Sequence, residues 1–312
     1  MARKDWLRKA APKWVVDLHD KVYYAYIKAY PKQHAAKIFK EQFGRAIDWE
    51  NPTILSEKGR WIQFNTNTSQ WPLLADKYKV RDYLQSLGLN EYIPALYGVW
   101  ETAADIDFTK LPNRFVMKTN HGCGEVIVVS DKSAIEQEVI QKIMQKHLDE
   151  RYGVYTAEPH YLDIHPVILA EELLPNTCPD SSTMVDYKVF CSWGKPIFLD
   201  ICYDRNAKTH HAHESWYDPN WVKHDEWHTG NYSPKTITRP SSLNKMYDIC
   251  ALIGKDMPLM RIDFYDVDGK PYIGELTLTP NGFNPECLTP ESQRMIGDQI
   301  DLTRIPKEMI KK

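Results

Sequence analysis

Apolar residues recur at helical spacing in four stretches of the chain. The first stretch covers residues 1–45, and Pro31 divides it because proline breaks the interior of a helix. The other predicted helices cover residues 74–87, 133–151 and 241–255. Residues 46–72 are rich in Asn, Thr, Trp and Pro and show no such period, so we expect irregular structure there.

Capping residues set the starts of two of these helices. Asp76 lies where an N-cap is expected, which places Lys77 in the first turn, and Gly88 supplies the stop. Ser133 and Glu136 have the spacing of a capping box at the start of the next helix. The first of these two helices is therefore expected to present a lysine at its N-terminal end.

Strand-forming runs alternate with turn residues through the middle and the C-terminal part of the chain. The predicted strands cover residues 92–100, 114–119, 125–130, 167–174, 184–192, 196–203, 259–265 and 271–278. Asp268-Gly269, between the last two, is the strongest hairpin signal. Residues 204–240 are predicted to be a polar loop rich in His and Trp.

The composition is that of an ordinary soluble globular protein, with 43% hydrophobic and 26% charged residues. Its 312 residues predict two or three sub-domains around a cleft. No apolar run approaches the roughly 18–20 residues of a membrane span, and the N-terminus lacks the apolar core of a secretory signal. The six cysteines are scattered without a CxxC pair, so we expect a cytoplasmic protein without a zinc site. We expect no nucleic-acid partner.

Charge is unevenly spread, although the net charge is only −3. Residues 1–45 hold eleven lysines and arginines against four acidic residues, and the rest of the chain holds 28 against 38. A helical cap with a solvated basic face explains this asymmetry and is the favoured interpretation. Peripheral contact of residues 1–45 with a membrane or another polyanion is the alternative.

A glycine-rich turn, residues 120–124 (NHGCG), joins two predicted strands. Walker and Rossmann phosphate sites instead place their glycines between a strand and a helix. A strand–loop–strand unit can close over phosphates with its backbone N–H groups and the ammonium of Lys118. An ordinary hairpin turn is favoured for the loop alone. Lys118 shifts the balance because it ends a run fit for burial and needs a partner there.

Four polar residues interrupt the apolar C-terminal hairpin: Arg261, Asp263, Glu275 and Thr277. Side chains alternate along a strand, so whether the two pairs share a face depends on the length of the loop. A three-residue loop over 267–269 with a left-handed glycine is expected, because it places all four on one face. Two carboxylates and a hydroxyl would suit Mg²⁺. The metal site is favoured because two acids exceed what one arginine neutralises; a buried salt bridge is the alternative.

Two further features carry weak signals. Glu171 and Glu172 end an apolar strand, and one of them must point inward. His210, His211 and His213 lie in the polar loop without cysteine partners, so solvated histidines are favoured over a metal site. Recognition of a substrate by this loop is a secondary expectation.

The order of these features resembles the ATP-grasp superfamily. It is most similar to the TupA-like family, named for teichuronopeptide biosynthesis and often found among cell-surface polysaccharide genes. The resemblance covers roughly residues 70–290, and its most specific segments are KTNHGCG, DYKVF and RIDFYDVDGKPYIGELT. It implies two α+β sub-domains that grip ATP between them. With this resemblance, we expect four regions along the chain. They are a basic helical segment over 1–45, a region before the ATP-grasp sub-domains over 46–112, a small ATP-grasp sub-domain over 113–175 and a C-terminal ATP-grasp sub-domain over 176–312.

The resemblance also implies roles for individual residues. Those expected to bind ATP are Lys77 and Lys118 on the phosphates, the loop residues His121, Gly122 and Gly124 above them, and Glu171 or Glu172 on the adenosine. Asp263 and Glu275 would hold two Mg²⁺ ions, and Arg261 would stabilise the transferred phosphoryl group. Thr277 stands where many ATP-grasp enzymes have a metal-binding Asn. Asp186, Lys188 and Arg205 can line the acceptor end, with surface salt bridges as an equal alternative.

The chemistry implied is carboxylate activation through an acyl-phosphate, followed by amide formation with an amine. We therefore expect a ligase that adds an amino acid or peptide to a surface-glycan precursor, in the cytoplasm or at the inner face of the membrane. A kinase that phosphorylates a sugar hydroxyl with the same ATP site is the main alternative. A glycan-binding module with a decayed site and a nucleotide-sugar glycosyltransferase are the others.

Overall fold

The computed structural model describes residues 12–124, 126–206, 209, 211–230, 235–285 and 287–311. The first eleven residues of the predicted basic segment, and His210 of the predicted loop, lie outside them. Among the described residues, no helix is both long enough and apolar enough to cross a membrane.

Two helices open the described chain, α1 (Lys13–Ala29) and α2 (Pro31–Phe43). Pro31 starts the second helix, so the predicted division is confirmed. Gly44 follows with φ +69°, a left-handed conformation that ends α2 without steric cost. Ile27 of α1 and Phe39 of α2 are buried, which anchors both helices to the body of the protein.

Residues 46–72, predicted to be irregular, contain α3 (Leu55–Asn65) and the start of α4 (Trp71–Ala75). The prediction was wrong because the first turn of α3 is stabilised by a residue inside the helix. The buried carboxylate of Glu57 accepts hydrogen bonds from the backbone N–H groups of Asp48 and Thr53 and pairs with Arg45.

Two short helices replace the predicted single helix over 74–87. The first, α4, ends at Ala75, and α5 (Val80–Ser86) begins after a turn. Asp76 is not the N-cap of α5, which is Lys79, but its carboxylate stabilises the turn by accepting hydrogen bonds from the N–H groups of Tyr78 and Lys79. Lys77 consequently lies in the turn before α5 rather than in its first turn.

The small sheet has the strand order β1-β4-β2-β3, and its paired strands are antiparallel. Its strands are β1 (Leu96–Trp100), β2 (Phe115–Thr119), β3 (Val126–Val129) and β4 (Ile168–Glu171). Helix α6 (Gln137–Leu148) packs on it through Ile140 and Met144. The predicted capping box at Ser133 is wrong, because α6 begins only after residue 136 and Ser133 itself is held by Asp131.

The large sheet has the order β7-β6-β5-β8-β9 and is also antiparallel. Its strands are β5 (Asp186–Ser192), β6 (Lys195–Tyr203), β7 (His213–Tyr217), β8 (Met260–Val267) and β9 (Lys270–Thr277). Helix α7 (Leu243–Ile253) packs against this sheet, and α8 (Pro290–Asp298) packs against α3. Strand β7 corrects the prediction that residues 204–240 are only a loop. Two antiparallel sheets with helices confirm the α+β class.

Short 3₁₀ helices connect these elements at Asn90–Tyr92, Ala103–Asp105, Phe108–Lys110, Lys132–Ala134, Pro159–Asp163, Asp225–Trp227, Pro280–Phe283, Leu302–Arg304 and Lys307–Met309. The buried side chains form two hydrophobic cores, one under each sheet. Helices α3, α4 and α5 contribute to the core of the large sheet. They therefore hold the turn that contains Lys77 close to the C-terminal hairpin.

Candidate active site

The register of the C-terminal hairpin places its polar residues together, but not through the predicted loop. Val267 lies opposite Lys270, so Asp268 and Gly269 form a two-residue turn, both with positive φ. The extra residue lies farther along, where the register shifts and leaves Gly274 unpaired. Asp263 consequently lies opposite Glu275, and the expected shared face is present.

A side chain at this bulge would be tightly packed. A Cβ atom at position 274 would lie 3.0 Å from the ring of Tyr265 and 3.4 Å from the carbonyl oxygen of Asp263. The bulge therefore depends on a close approach of the two strands that a larger residue would disturb. The loop prediction was wrong because periodicity shows that one residue must be extra and does not show where it lies.

Arg261 is the centre of the polar face. Its Nε and Nη2 atoms donate to the two carboxylate oxygens of Asp263, at 2.6 and 2.8 Å. The same Nη2 lies 3.1 Å from Glu275 Oε1 and 3.1 Å from Thr277 Oγ1. Three oxygen-bearing side chains therefore converge on one cationic nitrogen.

Two lysines add to this cluster. Lys188 Nζ lies 3.9 Å from Asp263 Oδ2, and Lys77 Nζ lies 3.1 Å from Glu275 Oε2. With Arg261, three cations therefore face two carboxylates. The expectation of an excess of negative charge was wrong, and the salt-bridge alternative describes the contacts in this structure.

These cations control the ionisation of Glu275. Burial alone would raise the pKa of Glu275, but the nearby positive charges, Lys77 and Arg261 foremost, outweigh it and hold the pKa below its ordinary value. Burial likewise opposes the charge of Lys188, yet nearby acidic groups raise the pKa of Lys188. These two shifts favour the charged forms of Glu275 and Lys188, whereas burial raises the pKa of Asp263.

Lys77 also joins the glycine loop to the hairpin. Its ammonium donates to the carbonyl oxygen of Gly122 at 2.6 Å, and its backbone N–H donates to that of Asn120 at 3.1 Å. Gly124 has φ +80°, the left-handed conformation that the tight loop requires. Lys77, which was predicted to bind the ATP phosphates, is therefore in direct contact with the loop that was predicted to cover them.

Asn120 fixes the start of the loop and was not singled out from the sequence. Its side chain is fully buried, donates to Asp76 and to the carbonyl of His165, and accepts from the N–H of Val167 at 2.8 Å. Its position directly after the Lys118 strand is the signal that was available. The next side chain, His121, is buried with Nε2 3.0 Å from the carbonyl oxygen of Glu150, and burial lowers the pKa of His121.

Lys118 and the inward glutamate form a second charged cluster in the small sheet. Lys118 Nζ lies 2.6 Å from Glu171 Oε2, and Arg81 Nη1 lies 3.1 Å from Glu171 Oε1. Glu172 points away, and its carboxylate accepts from the backbone N–H of Ala95. Glu171 is thus the buried member of the pair. Arg81, on α5, was missed because its partner lies ninety positions away.

The polar face extends across the large sheet. Glu275, Asp263, Lys188 and Asp200 lie directly opposite one another on successive strands β9, β8, β5 and β6. Asp186 follows on β5 and forms an ion pair with Arg205 at 2.5 Å. The three predicted acceptor residues therefore lie on or beside the strands next to Asp263.

Asp200 was also missed by the sequence analysis. It is buried, and the burial, followed by the negative charge of Glu214, raises the pKa of Asp200 to about 7. Its oxygens lie within 4.8 Å of ligand atoms of Cys202 and Glu214. Asp200 stands inside a strand-forming run in the sequence, where a single acid gives little sign of a buried site.

We expect Asp200→Asn to alter the pH dependence of stability. The carboxyl of Asp200 ionises near 3.8 when exposed but near 7 when buried, so the folded protein keeps a proton that the unfolded chain loses. The stability of the wild type should consequently fall as pH rises from about 4 to about 7, by at least about 1 kcal/mol. The variant should lack this component in urea unfolding at matched pH values, whereas parallel curves would contradict the shift.

The histidines of the polar loop do not form a site in the described residues. His211 and His213 are exposed, and His213 begins β7. Among the described residues, clusters with metal-ligand spacing consist of Glu214, His228 and Cys287, and of Asp200, Cys202 and Glu214. The interpretation of His211 and His213 as solvated residues is therefore consistent with the structure.

Comparison with known proteins identifies one matching family. A profile of the family described as TupA-like ATPgrasp matches residues 57–301. D-alanine–D-alanine ligase from Bacillus anthracis, solved with ATP, is 17% identical over 76% of this chain and 67% of its own, with a TM-score of 0.44. The Helicobacter pylori enzyme of that name is 13% identical over 79% and 68%, with a TM-score of 0.42. No curated protein matches the chain.

Proposed function

Because the chain belongs to the TupA-like ATP-grasp family, we propose that it is an ATP- and Mg²⁺-dependent ligase that joins a carboxylate to an amine. ATP-grasp enzymes in general use ATP and Mg²⁺ for such reactions. The observation that carries the proposal for this chain is the convergence of Asp263, Glu275 and Thr277 on one cationic position, which Lys77 links to the glycine loop.

The oxygen atoms around Arg261 fit magnesium by their chemistry. Mg²⁺ prefers carboxylate and hydroxyl oxygens and is commonly shared between one or two carboxylates and substrate phosphates. Asp263 and Glu275 would hold two ions, with Thr277 contributing a hydroxyl directly or through water. When bound, Mg²⁺ neutralises the charge of the phosphates. Arg261 would then exchange its carboxylate partners for the transferred phosphoryl group.

The lysines and the loop fit the triphosphate. Lys77 already contacts the loop at Gly122, and Lys118 lies near the end of β2, the strand that leads into the loop. Both ammonium groups, with the backbone N–H groups of the loop, would bind phosphate oxygens. Glu171, which anchors Lys118, would accept a hydrogen bond from the adenosine. Glu172, which binds the backbone of Ala95, is less suited to that contact.

The proposed reaction has two steps. An oxygen of the substrate carboxylate attacks the γ-phosphorus, and the bond from phosphorus to the bridging oxygen breaks. ADP is released, and the substrate becomes an acyl-phosphate. The amine nitrogen then attacks the acyl carbon, inorganic phosphate leaves, and the nitrogen loses a proton to solvent. The protein mainly orients the reactants and compensates charge. Lys188, Arg205 and Asp186 would bind the acceptor at the side of the hairpin.

The acceptor is proposed to be a cell-surface polysaccharide or its precursor, to which an amino acid or peptide is added. The teichuronopeptide association of the family supports this substrate class. A cytoplasmic location, at or near the inner face of the membrane, fits the need for ATP. No disulfide joins any of the six cysteines, which supports a reducing compartment.

The decisive test measures product formation with candidate substrates and γ-labelled ATP. We expect ADP and inorganic phosphate in equal amounts, with release that depends on both a carboxylate and an amine. Label that remains covalently on a sugar product would identify a kinase. ATP hydrolysis indifferent to both substrates would contradict the ligase proposal, and failure to bind Mg-ATP in calorimetry would favour a decayed site.

A further inference from the structure

The outer face of α1 is apolar and exposed along its length. Trp14, Leu18, Val22 and Tyr26 follow one another at intervals of four residues and are 69%, 55%, 62% and 51% exposed. At about 100° per residue, these positions cover an arc of roughly 120°. Large apolar residues exposed singly are ordinary on a protein surface, but an unbroken stripe on one helix marks an interaction site.

The remaining residues in this arc strengthen the pattern. Val15, Ala25 and Ala29 fall within the same arc and are also exposed. No charged residue of α1 interrupts it. The opposite face is occupied, because Ile27 is buried and the ring of Tyr24 contacts that of Tyr155. The apolar arc is therefore separate from the face that attaches α1 to the protein.

One edge of the arc is basic. Lys21 and Lys28 lie beside it at helical spacing and line a shallow cleft together with Arg151. Asp20 also lines this cleft and the exposed Asp17 lies one turn before Lys21, so three basic residues outnumber two acids at this edge. An apolar face bordered by lysines complements a surface that is apolar inside and anionic outside.

We propose that α1 lies in the interface of an anionic phospholipid bilayer, with the apolar arc among the acyl chains and the lysine edge at the phosphates. Interfacial helices have this combination of an apolar face with aromatic residues and a lysine-bearing polar face, and they penetrate about 5–10 Å. Trp and Tyr favour the headgroup region because their rings are amphipathic. The acidic remainder of the chain orients α1 toward the anionic surface. This inference does not depend on the reaction that the enzyme catalyses.

The test is co-sedimentation of the full-length protein with vesicles. Vesicles of phosphatidylcholine with about one-third phosphatidylglycerol should bind the wild type, and pure phosphatidylcholine should bind it much more weakly. The double variant Leu18→Glu/Val22→Glu should lose at least about 10-fold in affinity, because it places two charges in the apolar arc. Val139→Glu/Ile143→Glu is the matched control, since these exposed apolar residues have the same spacing on α6.

Charge reversal at the edge provides an independent measurement. Lys21→Glu/Lys28→Glu should weaken binding to the anionic vesicles by about 5-fold or more for each lysine, and added salt should reduce the difference. Circular dichroism and the calorimetric affinity for Mg-ATP without vesicles should be unchanged in every variant, which separates this result from loss of fold or of the nucleotide site.

Three outcomes would overturn the proposal. They are absence of wild-type binding to anionic vesicles, binding that survives Leu18→Glu/Val22→Glu, and a loss equal to that of the α6 control. Light scattering tests whether a second copy of the chain, rather than lipid, covers the apolar arc. If the wild type is a dimer and Leu18→Glu/Val22→Glu is a monomer, a second copy of the chain covers α1 instead of lipid.

Discussion

Glu275→Gln is expected to lower ATP turnover by at least about 10³-fold, the largest effect of any single change at the proposed site. The amide keeps the shape of the side chain, and its oxygen can still accept from Arg261, but the NH2 group that replaces the other oxygen cannot accept from Lys77. It cannot supply the negative charge that a shared magnesium ion requires. Steady-state measurement of ADP release with saturating ATP and magnesium, and with the carboxylate and amine that support wild-type turnover, together with calorimetric titration of Mg-ATP, checks the expectation.

The fold of this variant should be retained. Glu275 is 24% exposed at its side chain, and Asp263 continues to pair with Arg261 after the substitution. Glu291→Gln, on the exposed first turn of α8, is the matched control and should keep wild-type turnover. Wild-type activity in Glu275→Gln would remove Glu275 from the proposed metal site.

Arg60→Leu is expected to lower the free energy of unfolding by about 3–5 kcal/mol, the largest stability effect of a single substitution that the structure suggests. The Arg60 side chain is fully buried on α3 and donates to the carbonyl oxygens of Thr156 and Ala157 and to the side chain of Gln63. Leucine would leave these acceptors without a donor and would remove the positive charge near Glu158.

Urea unfolding at neutral pH measures this effect, with Arg294→Leu as the control. Arg294 is 58% exposed and pairs with Asp298 one helical turn away, so its loss should cost less than about 1 kcal/mol. Equal midpoints for the two variants would show that the contacts of Arg60 contribute little. Both variants replace an arginine with leucine, so the difference between their free energies of unfolding reports the effect of burying the arginine.

Local sequence rules located the hairpins of this protein well. The strands around Lys118, around residues 193–195 and around Asp268 all form where alternating residues meet turn residues. Side-chain alternation also placed Arg261 with Asp263, and Glu275 with Thr277, on one face. These features depend on neighbours within a few positions, which is why the sequence alone is sufficient to predict them.

The errors arose where distant contacts decide the structure. Strand β7 forms because β6 offers it an edge. Helix α3 is the exception, because its cap by Glu57 acts within nine positions and was a local signal that the sequence analysis missed. Arg81 and Asn120 have partners 90 and 44 positions away, respectively, so neither could be assigned from local patterns. The charge balance of the C-terminal hairpin was misjudged for the same reason, since Lys77 reaches the hairpin from a different part of the chain.

The bulge makes the sequence of the turn in the C-terminal hairpin independent of the pairing between Asp263 and Glu275, although turn and pairing usually change together. Because Gly274 lies between the turn and Glu275, the residues beyond it toward the turn can vary in pairs without moving Glu275 relative to Asp263. Regular pairing through Gly274 without the bulge, in contrast, would place Gly274 opposite Asp263 and turn Glu275 and Thr277 to the opposite side of the sheet. Insertions and substitutions at Asp268-Gly269 are thus open to evolutionary drift, while a single backbone position preserves the alignment of the two carboxylates.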